Sequence, residues 1–148
     1  PARYVRCDLH PRVPHVQRVD MLDMPFDNES FDFVIANHVL EHVSDDFKAL
    51  VEVRRVLKIG GYAILQTPYS SKLHHTWQDD GIDNDAARLQ AYGQEDHMRL
   101  FGRDIFTRFN AAGLVSCVRR HDKVLSGVNA VVLGINPREP LFLFRRMG

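Results

Sequence analysis

Four polar side chains each follow directly on an apolar, strand-like run: Asp8 after Tyr4-Val5-Arg6-Cys7, Asp20 after the run from Val16, Asn37 after the run from Phe31, and Thr67 after the run from Tyr62. In open α/β sheets ligands bind beyond the carboxyl ends of the strands, so these four are the first candidates for a binding site. His38 comes immediately after Asn37, and His97 sits in a polar stretch two residues before Arg99. An imidazole titrates near neutrality, so either histidine can take a proton from a reacting group. The plainer role for His38 is that of a hydrogen-bonded structural histidine. Arg99 either holds a substrate carboxylate or phosphate with its planar fork or pairs with Glu95 or Asp96. Tyr69 and Trp77 either line a pocket or anchor the loop they sit on. His74-His75 with Asp79, Asp80, Asp83 and Asp85 invites a metal reading. Their spacing fits neither an EF-hand loop nor a His-x-x-x-His pair, so no metal site is expected and the stretch reads as a solvated loop.

The elements that must hold these residues alternate between strand and helix signals. Strands are expected over 4–8, 16–20, 31–37, 62–67, 115–121 and 141–146. The apolar run Phe33–Ala36 suits a strand buried on both faces, as in a parallel sheet. The spacing predicts a helix over 45–58, with Phe47, Leu50, Val51 and Leu57 as its apolar stripe, widened by Val53 and Val56, Ser44 as N-cap and Gly60-Gly61 as its stop. A second helix is expected over 103–112, stopped by Gly113. Residues 70–102 read as an inserted segment over the substrate site, carrying one short helix over 85–92. Lys123–Leu133 is ambiguous between helix and strand, and Gly134–Pro140 reads as a turn. Phe142 and Phe144 are core residues. Alternating elements of this kind predict one α/β domain over 1–148, a doubly wound and mainly parallel sheet.

Composition excludes several classes. The chain has 148 residues, room for one domain, and 45% of them are apolar, enough to build a core. Its 19 basic and 19 acidic residues cancel, which argues against a protein that grips nucleic acid. No apolar run approaches the roughly 18 residues of a membrane span. The start has no signal-peptide pattern. Cys7 and Cys117 read as buried free thiols, consistent with a cytoplasmic location.

Four segments in order carry a family likeness: Asp20-Met21-Leu22-Asp23-Met24-Pro25-Phe26, Ser30-Phe31-Asp32-Phe33-Val34, Val39-Leu40-Glu41-His42-Val43 and Arg55-Val56-Leu57-Lys58-Ile59-Gly60-Gly61. Together they resemble the class I S-adenosylmethionine-dependent methyltransferases of the type 11 group, whose usual pattern is D-A-x-x-L-P-F, S-F-D-x-V, V-L-E-H-V and R-V-L-K-P-G-G. The segment Gly93-Gln94-Glu95-Asp96-His97-Met98-Arg99-Leu100-Phe101-Gly102, followed by Ala111-Ala112-Gly113, is similar to a G-Q-x-D-H-x-R-x-x-G stretch of a bacterial subgroup. Ile59 stands where the family has proline. No counterpart of the family's opening glycine-rich loop, E/D-x-G-x-G-x-G, is present. The resemblance therefore implies a Rossmann-like methyltransferase fold that lacks its first strand and helix. The expectation is a fragment of a longer protein; the alternatives are a sheet that closes differently or a gap filled by another chain.

The resemblance also implies roles. S-adenosyl-L-methionine is the expected cofactor and a small molecule the expected acceptor. Asp8 would accept from both ribose hydroxyls, with Leu9 against the adenine. Asp20 and Met21 would read the adenine edge, Leu22 would wall it, and Asn37 would reach the methionine end. His38 and His97 are the candidate bases, and Tyr69, Trp77 and Arg99 the candidate acceptor contacts. Glu41 and His42 read as structural. The rival is a non-catalytic homodimer joined through exposed sheet edges that holds no cofactor. A dinucleotide-binding oxidoreductase is weaker, because the L-P-F and R-V-L-K-x-G-G pieces favour the methyltransferase.

Overall fold

The structure is a computed structural model that describes residues 4–124, 127–129, 132–136 and 139–148. Its first helix, α1 (Asp46–Val56), forms where the apolar spacing puts it. The cap is Asp45 rather than Ser44: the Asp45 carboxylate accepts from the Lys48 amide at 2.9 Å. An ionised oxygen at the positive end of the helix satisfies one free amide and complements the dipole as well. The buried face is Ala49, Leu50, Val53 and Val56, so the Leu50, Val53 and Val56 part of the expected stripe is buried while Phe47 and Val51 are exposed. Full burial of Leu50 or Val53 contributes about 1.5–3 kcal/mol each.

The chain leaves α1 directly into a strand. Gly60-Gly61 do not stop the helix; they lie inside β4 (Leu57–Ile64). There the register against β3 (Phe31–Ile35) jumps, from Phe31 opposite Leu57 to Phe33 opposite Tyr62. Glycine is needed at this bulge. Gly60 has φ +82, and a Cβ on Gly61 would stand 2.9 Å from the Lys58 carbonyl oxygen and 3.0 Å from that of Asp32.

Two further strands complete this sheet, β5 (Leu114–Ser116) and β8 (Leu143–Arg146), in the order β3-β4-β8-β5. β3 and β4 run parallel, while β8 is antiparallel to both β4 and β5. Before them, β1 (Cys7–Asp8) and β2 (Gln17–Arg18) form their own parallel pair. β6 (Arg119–Arg120) and β7 (Pro140–Leu141) make an antiparallel pair, with α4 (His121–Val124) following β6. The strand expected over 115–121 is thus split in two, and Lys123 and Val124 are helical. Part of the ambiguous Lys123–Leu133 stretch and part of the Gly134–Pro140 turn lie outside the described residues, as do Pro1–Arg3.

One face of the four-stranded sheet carries the core. Ala63, Leu65, Phe142 and Phe144 are buried there with α1 and with Ile105 and Phe109 of α3 (Ile105–Ala111). Phe109 stacks on Phe144 with ring centroids 4.0 Å apart. The other face is bare. Phe33 is 45% exposed and Ile35 59%, so β3 is not the doubly buried strand that its composition suggests. Cys7 is likewise exposed rather than buried, and Cys117 is half-buried.

The 70–102 segment closes on itself: Tyr69 bridges to Phe101 and Trp77 to Leu100. Its helix α2 (Asp85–Tyr92) is capped by the Asn84 side chain and ends at Gly93 in the left-handed conformation, φ +86.

Candidate functional site

Asp8 and Asp20 stand close in the parallel β1–β2 pair. Asp8 is opposite Arg18, and Asp20 follows two residues later. Both side chains are exposed. Each spends one oxygen on a local amide: Asp8 Oδ1 accepts from His10 N at 2.7 Å and Asp20 Oδ1 from Leu22 N at 2.8 Å. These turns hold the carboxylates in place, and among the described residues neither Oδ2 has a protein partner. Leu9 is exposed beside Asp8, whereas Met21 and Leu22 pack against the core cluster. Two buttresses position the turn after Asp20. Glu52 accepts from the Met24 amide at 2.8 Å, and Arg55 donates to the carbonyls of Met24 and Phe26 at 2.8 and 2.6 Å. Asn37 accepts from the Gln66 amide at 3.3 Å, linking the ends of β3 and β4. Thr67 is buried, and its hydroxyl is spent on the Leu65 carbonyl.

A second group of candidates meets in one cleft of about 510 Å³, lined by His38, Glu41, His42, Pro68, Gln94, Asp96 and His97. Here the turn after β3 faces the stretch after α2. The Met98 amide donates to the Glu41 carbonyl at 2.8 Å and pins the two together. His38 is exposed with φ +55, a left-handed conformation that is uncommon outside glycine, and its amide donates to the Gln66 carbonyl at 2.7 Å. His97 is 8% exposed and Glu41 only 2%. Sequence reasoning brought His38 and His97 here but left Glu41 and His42 as structural. Their adjacency to a second histidine is a tertiary fact; the only signal was an acid–histidine pair in each of two separated segments.

Arg99 is not on this cleft. Its side chain is fully buried. It donates to the carbonyls of Leu40, Val43 and Ser44 at 2.8, 2.6 and 2.9 Å and to Gln78 Oε1 at 2.9 Å. The expected pairing with Glu95 or Asp96 is not formed, and an acceptor role for Arg99 has no geometric support. Burial pulls its guanidinium below the ordinary arginine value, with Asp46 at 4.0 Å opposing. Tyr69 packs on Phe106 and Phe142, and Trp77 on Tyr92 while remaining half-exposed. Tyr69 thus packs against residues outside the 70–102 segment and Trp77 within it. The His74-His75 pair gathers no metal-binding group among the described residues; His74 lies against Arg103 instead.

Comparison with known proteins places this geometry. Residues 2–65 match the family described as a methyltransferase domain, of the type 11 group. A demethylmenaquinone methyltransferase from Staphylococcus carnosus is 44% identical over 45 residues, which is 30% of this chain and 19% of that enzyme's length. An uncharacterized protein from Methanocaldococcus jannaschii is 46% identical over 43 residues, 29% of this chain and 21% of its own. The chain thus spans about a fifth of the length of the curated relatives it matches.

Solved structures share the fold at low identity. The 1,6-didemethyltoxoflavin-N1-methyltransferase of Burkholderia thailandensis, solved with 1,6-didemethyltoxoflavin and S-adenosylhomocysteine, aligns with a TM-score of 0.57 at 12% identity, covering 90% of this chain and 51% of that one. The phosphoethanolamine N-methyltransferase 2 of Haemonchus contortus, solved with S-adenosyl-L-methionine, gives 0.54 at 15%, covering 87% and 36%. YcgJ from Bacillus subtilis gives 0.52 at 21%, covering 92% and 74%. Residues 2–65 thus resemble the methyltransferase-domain family, and the architecture is the Rossmann-like fold that these solved methyltransferases share.

Proposed function

We propose that this chain serves S-adenosylmethionine-dependent methyl transfer to a small-molecule acceptor. The observation that carries the reading is the pair Asp8 and Asp20. Asp8 ends β1 and Asp20 lies two residues beyond β2, both exposed, each locked by one amide and each with one oxygen to spare among the described residues. That donor set fits a nucleoside. Asp8 Oδ2 would accept from a ribose hydroxyl, Leu9 would cover the adenine, and Asp20 with the Met21 amide would read the adenine edge, with Leu22 behind it. Asn37 would face the methionine end. When bound, the cofactor supplies a methyl group on a sulfonium whose leaving thioether is neutral. The protein then needs chiefly to align the acceptor and exclude water. His38 is the exposed base at the cleft and would take a proton from an acceptor that must lose one, while Tyr69 and Trp77 hold the covering segment.

Calorimetric titration with S-adenosylhomocysteine tests this. Saturable stoichiometric binding is expected, weakened by roughly tenfold or more in Asp8→Ala and in Asp20→Ala, since a hydrogen bond to a charged group contributes about 1.5–3 kcal/mol. Absence of heat from a folded chain would overturn the reading for this molecule.

A second reading has its own support. β3 is paired only on its β4 side among the described residues, and it exposes Phe33 and Ile35. A second copy could add there as an antiparallel strand. No helix among the described residues is long and apolar enough to cross a membrane.

A further inference from the structure

The Glu41 carboxylate is in an unusual position. It is almost wholly buried, and its Oε2 has no hydrogen-bond partner. Leaving a buried carboxylate oxygen unpaired is costly. Among the described residues its other oxygen has only the near neighbours His38 Nδ1 at 3.5 Å and His42 Nε2 at 4.0 Å.

His42 explains what the carboxylate faces. Its Nδ1 lies 3.3 Å from the Asp96 carbonyl oxygen and 3.3 Å from Asp96 Oδ2. Both are acceptors only, so Nδ1 must carry the proton. In the neutral ring Nε2 is then a lone pair turned toward the buried carboxylate. Two lone-pair groups 4.0 Å apart repel each other unless a proton or a metal ion lies between them. His97, itself buried, adds a third donor. Its ring meets that of His42 edge to face, with centroids 4.9 Å apart, and one ligand atom from each of Glu41, His42 and His97 falls within 4.8 Å of the others.

From this arrangement we infer that Glu41, His42 and His97 form a binding site for a divalent transition-metal ion of the zinc class. Two imidazoles and one carboxylate are a donor set suited to zinc, with bonds of about 2.0–2.2 Å. In a tetrahedral site with such bonds two ligands stand about 3.3–3.6 Å apart, so the 4.0 Å pair closes by about half an ångström and the widest pair by up to about 1.5 Å when the ion binds. Asp96 is the outer partner that fixes the ring and tautomer of His42, as metal-bound histidines ordinarily require. The bond from Met98 to the Glu41 carbonyl holds the two ligand-bearing segments together without the ion. Three protein ligands leave one position for water at the cleft.

The test is independent of methyl transfer, since it needs neither donor nor acceptor. The chain is stripped with a chelator and titrated with Co²⁺, followed by its visible absorption, and then with Zn²⁺. The expected result is stoichiometric uptake with the intense bands of a four-coordinate nitrogen–oxygen site, displaced by Zn²⁺. His42→Ala and His97→Ala abolish the bands. Asp96→Ala weakens affinity by about tenfold, the low end of the 10–100-fold usual for an outer partner, because the Asp96 carbonyl remains. That side chain is 74% exposed, so this variant reports even if Glu41→Gln does not fold. The double variant His74→Ala/His75→Ala binds as the parent does. No bands from folded parent protein, bands that persist in His97→Ala, or bands lost in the His74/His75 variant would each overturn the site.

Discussion

At the scale of single residues, Arg99 shows how far type and spacing can mislead. In the sequence it stands beside a histidine in a polar segment, where an anion-binding arginine would be at home. In the fold it is a clamp: one guanidinium satisfies three carbonyls of the turn that carries Glu41 and His42. Removing it strands those carbonyls and leaves Asp46 with Arg108 alone. Arg99→Met therefore costs about 3–5 kcal/mol of stability, as breaking buried charge arrangements does, read from urea unfolding. Loss of less than about 1 kcal/mol would contradict the clamp. The placement of Asp8 and Asp20 was legible because each follows a strand-like run and is held by an amide two residues on. Glu41, His42 and His97 were not, since their grouping depends on contacts some 55 residues apart in the chain, such as that between His42 and Asp96.

At the scale of elements, local signals served well where the element is self-contained. The helix over 85–92 forms with those bounds, because Asn84 caps it and Gly93 closes it. Signals served less well at boundaries decided by pairing. Gly60-Gly61 look like a helix stop, yet β3 recruits the chain into β4 from Leu57 onward. The cross-element buttress Glu52–Arg55 was invisible for the same reason. The Arg55 hydrogen bond holds the Glu52 carboxyl below its ordinary value, against some opposing burial, and the Met24 amide adds to the effect. Asp104 is also held low: burial opposes, but hydrogen bonds from Thr76 and Arg108 outweigh it. A lowered carboxyl stabilises the folded state above its unfolded value and loses that contribution as pH falls through the folded value. Stability should thus hold from neutrality down to about pH 4.3, the ordinary glutamate value, and decline below it. In Glu52→Gln the neutral-pH stability falls by about 1–2 kcal/mol and the acid decline becomes shallower. An unchanged acid slope, measured by urea midpoints across pH, would remove Glu52 from that account.

At the scale of the whole molecule, the imbalance between the two faces of the main sheet decides behaviour in solution. One face is sealed by α1 and α3; the other shows Phe33, Ile35, Tyr62 and Val115 to solvent. β3 adds an unpaired edge on the same side of the sheet order. An open strand edge whose exposed face is apolar is a template for another strand. Antiparallel pairing of two copies about Phe33 would set Phe33 opposite Phe33, Asp32 opposite Val34 and Phe31 opposite Ile35, so no like charges meet. Sedimentation velocity over a concentration series should therefore show reversible self-association. Ile35→Lys puts a charge on an exposed position and should return the chain to monomer, with its unfolding midpoint changed by no more than about 0.5 kcal/mol. A chain that stays monomeric throughout, or an Ile35→Lys variant that still associates, would move the contact away from β3. Cofactor titration of that monomeric variant then separates the two readings. Binding that survives the substitution leaves association as a property of the bare face alone, because Asp8 and Asp20 lie in and just beyond the separate β1–β2 pair.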